Sequence, residues 1–274
     1  MKTILVPTDF SPLAANALRV AADLARTYGA DITLLHYRPF SLANANTPEG
    51  GLTMANYLGE QDDEALDALH GLIDNPYYRD LQITPISCRD AGGLYKAITK
   101  RGADLLVLGT RGASGWDEWL FGSNAEQVVR RARCPVLVLK EATAPFSPTN
   151  AIAAIDVDDA LRQHWPAYPF TATGHGLRQF VYVSAPDNPR DPEGVHQWMR
   201  ELAAEKGLTD YELHVRPARN VETGILNYAR EREADLIVLY THGHTGLRHL
   251  LQGSVAEDVL NHAPLPVLVM RIKN

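Results

Sequence analysis

The chain has 274 residues, of which 45% are hydrophobic and 22% are charged, and its formal net charge is −7. This composition is ordinary for a globular protein with a buried core and excludes a disordered chain. Lysine and arginine are spread along the sequence, which excludes a clustered basic patch for nucleic acid. The opening stretch MKTILVPTDFSP lacks the apolar length of a signal peptide or membrane span, so we expect a cytoplasmic protein.

The first half alternates predicted strands and helices. Ser11 is a candidate helix N-cap, with Pro12 at the first helical position and Gly29 at the end. In chain order, the predicted strands are 2–8, 31–37, 81–87, 104–110 and 135–140, and the predicted helices are 12–28, 61–73, 93–102 and 123–132. Apolar strands that alternate with helices indicate a parallel sheet covered on both faces. We predict a doubly wound α/β fold with strand order 3-2-1-4-5.

The second half repeats the first. Residues 103–140 and 234–271 align without a gap and share 19 of 38 residues, which chance cannot supply. The join at 141–150 is rich in proline, serine and threonine. We therefore predict two tandem domains, 1–143 and 148–274, each with a five-stranded parallel sheet, paired by pseudo-two-fold symmetry.

Two segments differ between the halves. Between 156 and 180, where the second half should have its first helix, two prolines and two glycines indicate a helix that is shortened or broken. Residues 40–59 of the first half have no counterpart of similar length. We interpret them as a mobile loop, either a lid over a ligand or a plain surface insertion.

Cys88 and Cys134 lie in strand-like runs and lack metal-ligand spacing. We interpret them as reduced thiols of a reducing compartment rather than as a disulfide or a nucleophile.

The glycines within the repeated segment 103–140 indicate a ligand site. In the predicted sheet, strands 1 and 4 flank the point where strand order reverses, and ligands bind beyond the carboxyl ends of the strands there. Asp9 follows strand 1, and Gly109 ends strand 4. Gly109 and Gly112 would let the backbone approach a ligand closely and take dihedral angles that other residues avoid.

The fourth helix opens with Gly122, Ser123 and Asn124. Its unpaired N–H groups and its dipole favour an anion, so the loop and helix together predict a phosphate cradle made from backbone. The chain contains no GK[ST] sequence of the P-loop type.

The spacing of Gly109, Gly112, Gly122 and Ser123, together with ILVPTDFS near the start, resembles the ATP-binding universal stress proteins. The resemblance covers both halves, so the whole chain is similar to a tandem universal stress protein. The family's proteins are stress-associated, and the resemblance implies ATP, usually with Mg²⁺, as the ligand of the first half. It also implies that the halves pack as single-domain members do in dimers, often through their last strands, with a further homodimer as an option.

The resemblance assigns roles to particular residues. Pro7, Thr8 and Asp9 would contact the adenosine, and His36 and Tyr37 would line the adenine. The loop from Gly109 to Asn124 would hold the ribose and phosphates, and Arg111 within it could face the phosphates.

The second half departs from this pattern at Tyr240, which stands where the first half has Gly109, whereas Gly243, Gly253 and Ser254 remain. A phenol ring near the phosphate or ribose would occupy space that the nucleotide needs. We predict that the second half cannot bind ATP in the usual manner, unless the ring turns aside.

Two other features of the loops give weaker evidence of function. Asp117 and Glu118 stand where the family commonly has basic residues, and we expect them to point to solvent while Trp116 and Trp119 pack. The histidines of the second-half loop do not have the spacing of a zinc motif, so we predict no metal at His242, His244 and His249.

The leading hypothesis is a stress-associated regulatory protein that binds ATP in its first half, with a second half that is structural or altered. A slow ATP hydrolase or phosphotransferase is one alternative, although no motif places a second carboxylate, lysine or histidine to activate a nucleophile. A module that binds another small ligand or a protein is the other alternative.

Overall fold

A computed structural model describes residues 1–39, 50–90, 92–110, 123–140, 145–171, 176–241 and 255–272, with the backbone alone at 50–61 and 123–126. The first half consists of β1 (Thr3–Thr8), α1 (Pro12–Tyr28), β2 (Asp31–Arg38), α2 (Gly50–Ile73), β3 (Ile83–Arg89), α3 (Gly93–Thr99), β4 (Leu105–Gly109), α4 (Ser123–Arg131) and β5 (Val136–Leu139). The second half consists of β6 (Ala151–Ala154), α5 (Asp159–Gln163), β7 (Gln179–Ser184), α6 (Pro192–Lys206), β8 (Glu212–Pro217), α7 (Val221–Glu231), β9 (Leu236–Thr241), α8 (Val255–His262) and β10 (Val267–Arg271).

The strands form one ten-stranded sheet in the order β3-β2-β1-β4-β5-β10-β9-β6-β7-β8. Within each half all pairs are parallel and follow the order 3-2-1-4-5, which confirms the predicted fold. At the centre β5 pairs antiparallel with β10, with Leu137 opposite Leu268. The halves therefore join through their last strands, as the resemblance implied.

Side chains that alternate along each strand enter two cores, one on each face of the sheet. Ile4 and Val6 of β1 pack in the core that contains α1 residues such as Leu18. Leu5, between them, packs in the other core with Val128 of α4. This division is the reason that every central strand is apolar on both faces, because helices cover the sheet from both sides.

Local sequence signals predicted the bounds of α1 correctly. The Ser11 hydroxyl accepts a hydrogen bond from the Ala14 N–H at 3.2 Å, and Pro12 follows as the first helical residue. Gly29 ends the helix in the left-handed conformation at φ 62° and donates its N–H to the Ala25 carbonyl.

The repeated Ala-Asp-Leu sequence has a structural role in each half. The Asp104 carboxylate accepts the N–H of Lys2 at 2.6 Å at the start of β1. In the second half, the Asp235 carboxylate accepts the N–H groups of Thr149 at 2.7 Å and Asn150 at 3.0 Å at the start of β6. These bonds hold the first strand of each half beside its fourth strand.

The prediction of a loop over 40–59 is wrong for its second part, because α2 begins at Gly50. The loop was predicted because the second half has no counterpart of similar length, but residues 52–58 include good helix formers such as methionine, alanine and leucine. Residues 40–49 lie outside the described part of the chain. The third strand also begins two residues later than predicted, because the Leu81 N–H bonds to the Tyr78 carbonyl at 3.0 Å in a turn.

The predicted shortening of the first helix of the second half is confirmed. Its counterpart, α5, has 5 residues, whereas α1 has 17. Each helix in the described part of the chain is too short or too polar to cross a membrane.

Candidate functional site

The crevice lies where β1 and β4 run side by side and the chain leaves them toward opposite faces of the sheet. The two strands are parallel neighbours, with Leu5 opposite Leu106. After β1 the chain enters α1 on one face, and after β4 the next described helix, α4, packs on the other face. A parallel sheet binds ligands at such a reversal of strand order.

The turn between β1 and α1 is held by its own side chains. The Thr8 hydroxyl accepts the Phe10 N–H at 3.0 Å, and the Asp9 carboxylate accepts the Ser11 N–H at 3.0 Å. Phe10 consequently adopts a φ of 64°, which is unusual for a residue with a side chain. Asp9 is exposed and stands next to buried Thr8 at the mouth of the crevice.

His36 and Tyr37, at the end of β2, are each fixed by a hydrogen bond. The His36 Nδ1 lies 2.8 Å from the Thr8 carbonyl, which can only accept, so Nδ1 carries the proton. The His36 ring also lies against the Phe10 ring, with centroids 4.6 Å apart. The Tyr37 hydroxyl donates to the Asp90 carbonyl at 3.1 Å.

The register of the sheet brings the five described N-terminal candidates together. Thr8 pairs with His36, so the ends of β1 and β2 form one edge. That edge carries Pro7, Thr8, Asp9, His36 and Tyr37. Their assignment to a nucleotide remains a prediction.

Gly109 is a glycine for a different reason than the sequence suggested. A Cβ atom at this position would lie 2.2 Å from the Leu13 carbonyl oxygen and 3.1 Å from the Ala14 nitrogen. The described glycines with positive φ do not include Gly109, so the expectation of an unusual dihedral angle is wrong here. Gly109 instead lets the first turn of α1 pack directly against the end of β4.

Several candidates of the loop fall outside the described residues. These are Arg111, Gly112 and Gly122, together with Trp116, Asp117, Glu118 and Trp119. Ser123 and Asn124 form the first turn of α4, as predicted for the helix that would receive the phosphates.

Thr110 is a candidate site residue that the sequence interpretation missed. It directly follows Gly109, its side chain is buried, and its hydroxyl has no hydrogen-bond partner among the described residues. A buried hydroxyl without a partner is costly, so a ligand that bonds to it would gain affinity. The sequence did contain a signal for it, because the equivalent segments GTRG at 109–112 and YTHG at 240–243 share this threonine, as Thr110 and Thr241.

Tyr240 turns into the core. Its ring lies against Trp165, with centroids 4.8 Å apart, and the residue is 8% exposed. Burial raises the pKa of Tyr240, and its hydroxyl has no partner among the described residues. The ring therefore packs inward, which favours the alternative that it turns aside, although Tyr240 also borders the cavity at the ends of β6 and β9. That the second half cannot bind ATP in the usual manner stays a prediction.

A cavity of about 50 Å³ lies at the carboxyl ends of β6 and β9. Strand register makes its lining equivalent to the first-half crevice. Ala154, Ile155, Asp156, Val183, Thr241 and Val255 line it, in the places of Pro7, Thr8, Asp9, Tyr37, Thr110 and Asn124. The second half thus keeps the location of the site but changes its chemistry.

The cysteines carry no reactive signature. Both are free and half-buried, and burial raises the pKa of Cys88 and raises that of Cys134 to about 11, so both stay protonated at neutral pH. In the described part of the chain, no group of three histidine, cysteine or acidic side chains could hold a metal. His242, His244 and His249 lie outside that part.

The fold and the two equivalent crevices define a class: a tandem, doubly wound α/β protein with a crevice at the carboxyl ends of the strands in each half. The sequence model of the universal stress protein family matches residues 1–140 and 180–271. The chain belongs to the universal stress protein family.

Related proteins agree with this assignment. A universal stress protein of Mycobacterium tuberculosis is 26% identical over 305 aligned residues, which cover 98% of this chain and 96% of the relative. One from Methanocaldococcus jannaschii is 29% identical over 141 residues, 51% of this chain and 82% of the relative. The crystal structure of a universal stress protein from Archaeoglobus fulgidus superposes with a TM-score of 0.71 at 21% identity, covering 99% and 98% of the chains, and supports the fold.

Proposed function

We propose that this protein is a stress-associated regulatory protein that binds ATP with Mg²⁺ in a first domain, 1–143, while the domain 148–274 is structural or has altered ligand binding. The observation that carries the proposal is the difference between the two crevices. Both crevices keep the aspartate and the threonine, as Asp9 and Thr110 in the first half and as Asp156 and Thr241 in the second. The first half adds Thr8, Tyr37 and Asn124, which are polar or carry a hydroxyl. In the second half, the equivalents of several polar site residues are apolar.

The described first-half residues fit a nucleotide. The Asp9 carboxylate is suited to accept hydrogen bonds from ribose hydroxyls or to approach Mg²⁺. Because the His36 Nδ1 donates to the Thr8 carbonyl, its Nε2 is the ring nitrogen left to meet the nucleotide. The first turn of α4 offers backbone N–H groups for phosphate oxygens, and Arg111 would add a positive charge.

Equilibrium dialysis of the full chain with ATP and Mg²⁺ tests the proposal. We expect one ATP per chain, and mass spectrometry of the purified protein should find retained nucleotide. Either no binding or two equivalent sites would contradict it.

A matched pair of variants locates the site. We expect Asp9→Asn to weaken ATP binding about tenfold, because it removes a charged hydrogen-bonding partner from the first-half crevice. Asp156→Asn, the equivalent change in the second half, should leave the ATP dissociation constant unaltered. Equal weakening by both variants would assign ATP to both halves.

The cellular setting is also a proposal. Free, protonated thiols at Cys88 and Cys134 fit a reducing compartment, and we place the protein in the cytoplasm.

Phosphate release from ATP above the buffer background would favour the alternative function, a slow ATP hydrolase.

A further inference from the structure

The cavity at the carboxyl ends of β6 and β9, here called the second-half cavity, has a chemistry of its own. It occupies the position of the first-half crevice, but three equivalent positions exchange a polar or aromatic residue for an aliphatic one. Thr8, Tyr37 and Asn124 of the first half are replaced in the second half by Ile155, Val183 and Val255, respectively. Ile272 is a further aliphatic residue that lines the cavity. The exchange leaves an apolar interior where a nucleotide site needs polar groups.

The charged side chains among the described lining residues are acidic. Asp156 and Asp158 both line the second-half cavity. Asp156 accepts the Val157 N–H at 2.8 Å, and Asp158 accepts the Ala160 N–H at 2.8 Å as the N-cap of α5, so both carboxylates are held in place. The lining contributed by the described residues contains no lysine or arginine.

The helix that faces the cavity adds to the negative charge. Val255 and Ala256 at the start of α8 line the cavity, and Glu257 and Asp258 follow in the same first turn. Acidic side chains in a first turn already satisfy the positive end of the helix dipole, which a phosphate would otherwise use. An anionic ligand would therefore be repelled here, whereas a cation would be attracted.

We infer that the second-half cavity binds a small molecule that carries a short alkyl group and a protonated amine. The alkyl group lies among Ile155, Val183 and Val255, and the ammonium group donates hydrogen bonds to the Asp156 carboxylate. An apolar cavity of roughly 150 Å³ holds the six carbons of benzene, so a volume of about 50 Å³ suits an alkyl group of about two carbons. This inference does not depend on ATP binding in the first half.

The test compares three two-carbon ligands that differ in charge: ethylammonium, ethanol and acetate. Each is titrated into the ¹⁵N-labelled full-length protein to roughly 50 mM, because so small a ligand can bind only weakly. We expect ethylammonium to shift the amide signals of Asp156, Asp158 and Thr241 saturably, ethanol to bind more weakly, and acetate to leave them unshifted. Equal shifts by acetate, or no saturable shift by ethylammonium, would overturn the inference.

Variants separate the specific contact from the general negative charge. Asp156→Asn should weaken ethylammonium binding about tenfold. Asp67→Asn removes the same charge from an exposed position of α2 and should not change it. Val183→Tyr introduces the ring that the first half has at Tyr37, so it should fill the cavity and abolish binding. Amide spectra without ligand verify that each variant is folded, and undiminished binding by Asp156→Asn would refute the assigned contact.

Discussion

Gly109 and Tyr240 hold equivalent positions at the ends of β4 and β9, and the neighbouring segment explains the difference between them. The backbone of α1 comes so close to Gly109 that even a methyl group would collide with the Leu13 carbonyl. In the second half, α5 has only 5 residues, and Tyr240 packs against Trp165 in the chain that follows it. One residue makes room for a helix, and the other fills the space that a missing helix leaves.

Gly109→Ala should lower the free energy of unfolding by about 1–3 kcal/mol, because α1 or β4 must move to admit the methyl group. Gly71→Ala is the matched control, since a Cβ there meets nothing within 4 Å and Gly71 lies inside α2. That control should be stabilising by about 0.5–1 kcal/mol. Urea unfolding measures both, and equal effects would show that α1 does not constrain Gly109.

Replacements of Tyr240 should separate the ring from the hydroxyl. Tyr240→Phe removes a buried hydroxyl without a described partner and should be neutral or stabilising. Tyr240→Gly removes the whole ring from its contact with Trp165 and should cost about 3–5 kcal/mol. Since the ring lies in the core, Tyr240→Gly should not give the second half ATP binding. A second bound ATP in dialysis of that variant would contradict this expectation.

The buried tyrosine also predicts a dependence on alkaline pH. Burial raises the pKa of Tyr240, whereas the unfolded side chain titrates near pH 10. Above about pH 10 the unfolded state releases a proton that the folded state keeps, so the free energy of unfolding falls as pH rises. Urea unfolding between about pH 9 and 11 should therefore show a steeper loss in the wild type than in Tyr240→Phe. Parallel curves would mean that Tyr240 is not protected in the folded state.

At the scale of elements, the segment that replaces a full first helix in the second half connects the two halves. Phe170 is completely buried and its ring lies near Phe146 of the join, with centroids 5.9 Å apart in an edge-to-face arrangement. It also lies 6.4 Å from Tyr28 at the end of α1 in the first half. The Phe146 N–H donates to the Asp23 carboxylate of α1 at 3.2 Å. The broken helix has thus become an aromatic contact between the halves.

Phe170→Ala should lower the free energy of unfolding by about 3–5 kcal/mol, since it opens a cavity beneath this contact. Chemical unfolding followed by tryptophan fluorescence would measure the loss, because Trp165 lies in the same segment. A change below about 1 kcal/mol would show that the segment collapses into the space or adds little.

At the scale of the whole molecule, the antiparallel pair of β5 and β10 turns two parallel sheets into one. Every residue of β5 is buried, from Val136 to Leu139, although β5 would be an edge strand in an isolated domain. An exposed, apolar edge is a template for pairing with another chain. Duplication therefore supplies the partner within the same polypeptide.

The fragment 1–143 alone should associate through β5 once β10 is absent. We expect size-exclusion chromatography with light scattering to show dimers or larger species of the fragment, while the full chain keeps this edge paired. A soluble monomer of the fragment at micromolar concentration would contradict the expectation.

The sequence by itself determined the repeat, the doubly wound fold and the bounds of α1, because these depend on local signals: apolar runs, the Ser11 cap and the glycine at position 29. It also brought Asp9, His36 and Tyr37 to one edge, since parallel strand order fixes which ends meet. Only the tertiary structure decided why Gly109 is a glycine, where the Tyr240 ring points and that the buried Thr110 hydroxyl has no hydrogen-bond partner among the described residues. These depend on what packs against each residue from distant parts of the chain, which no local pattern records.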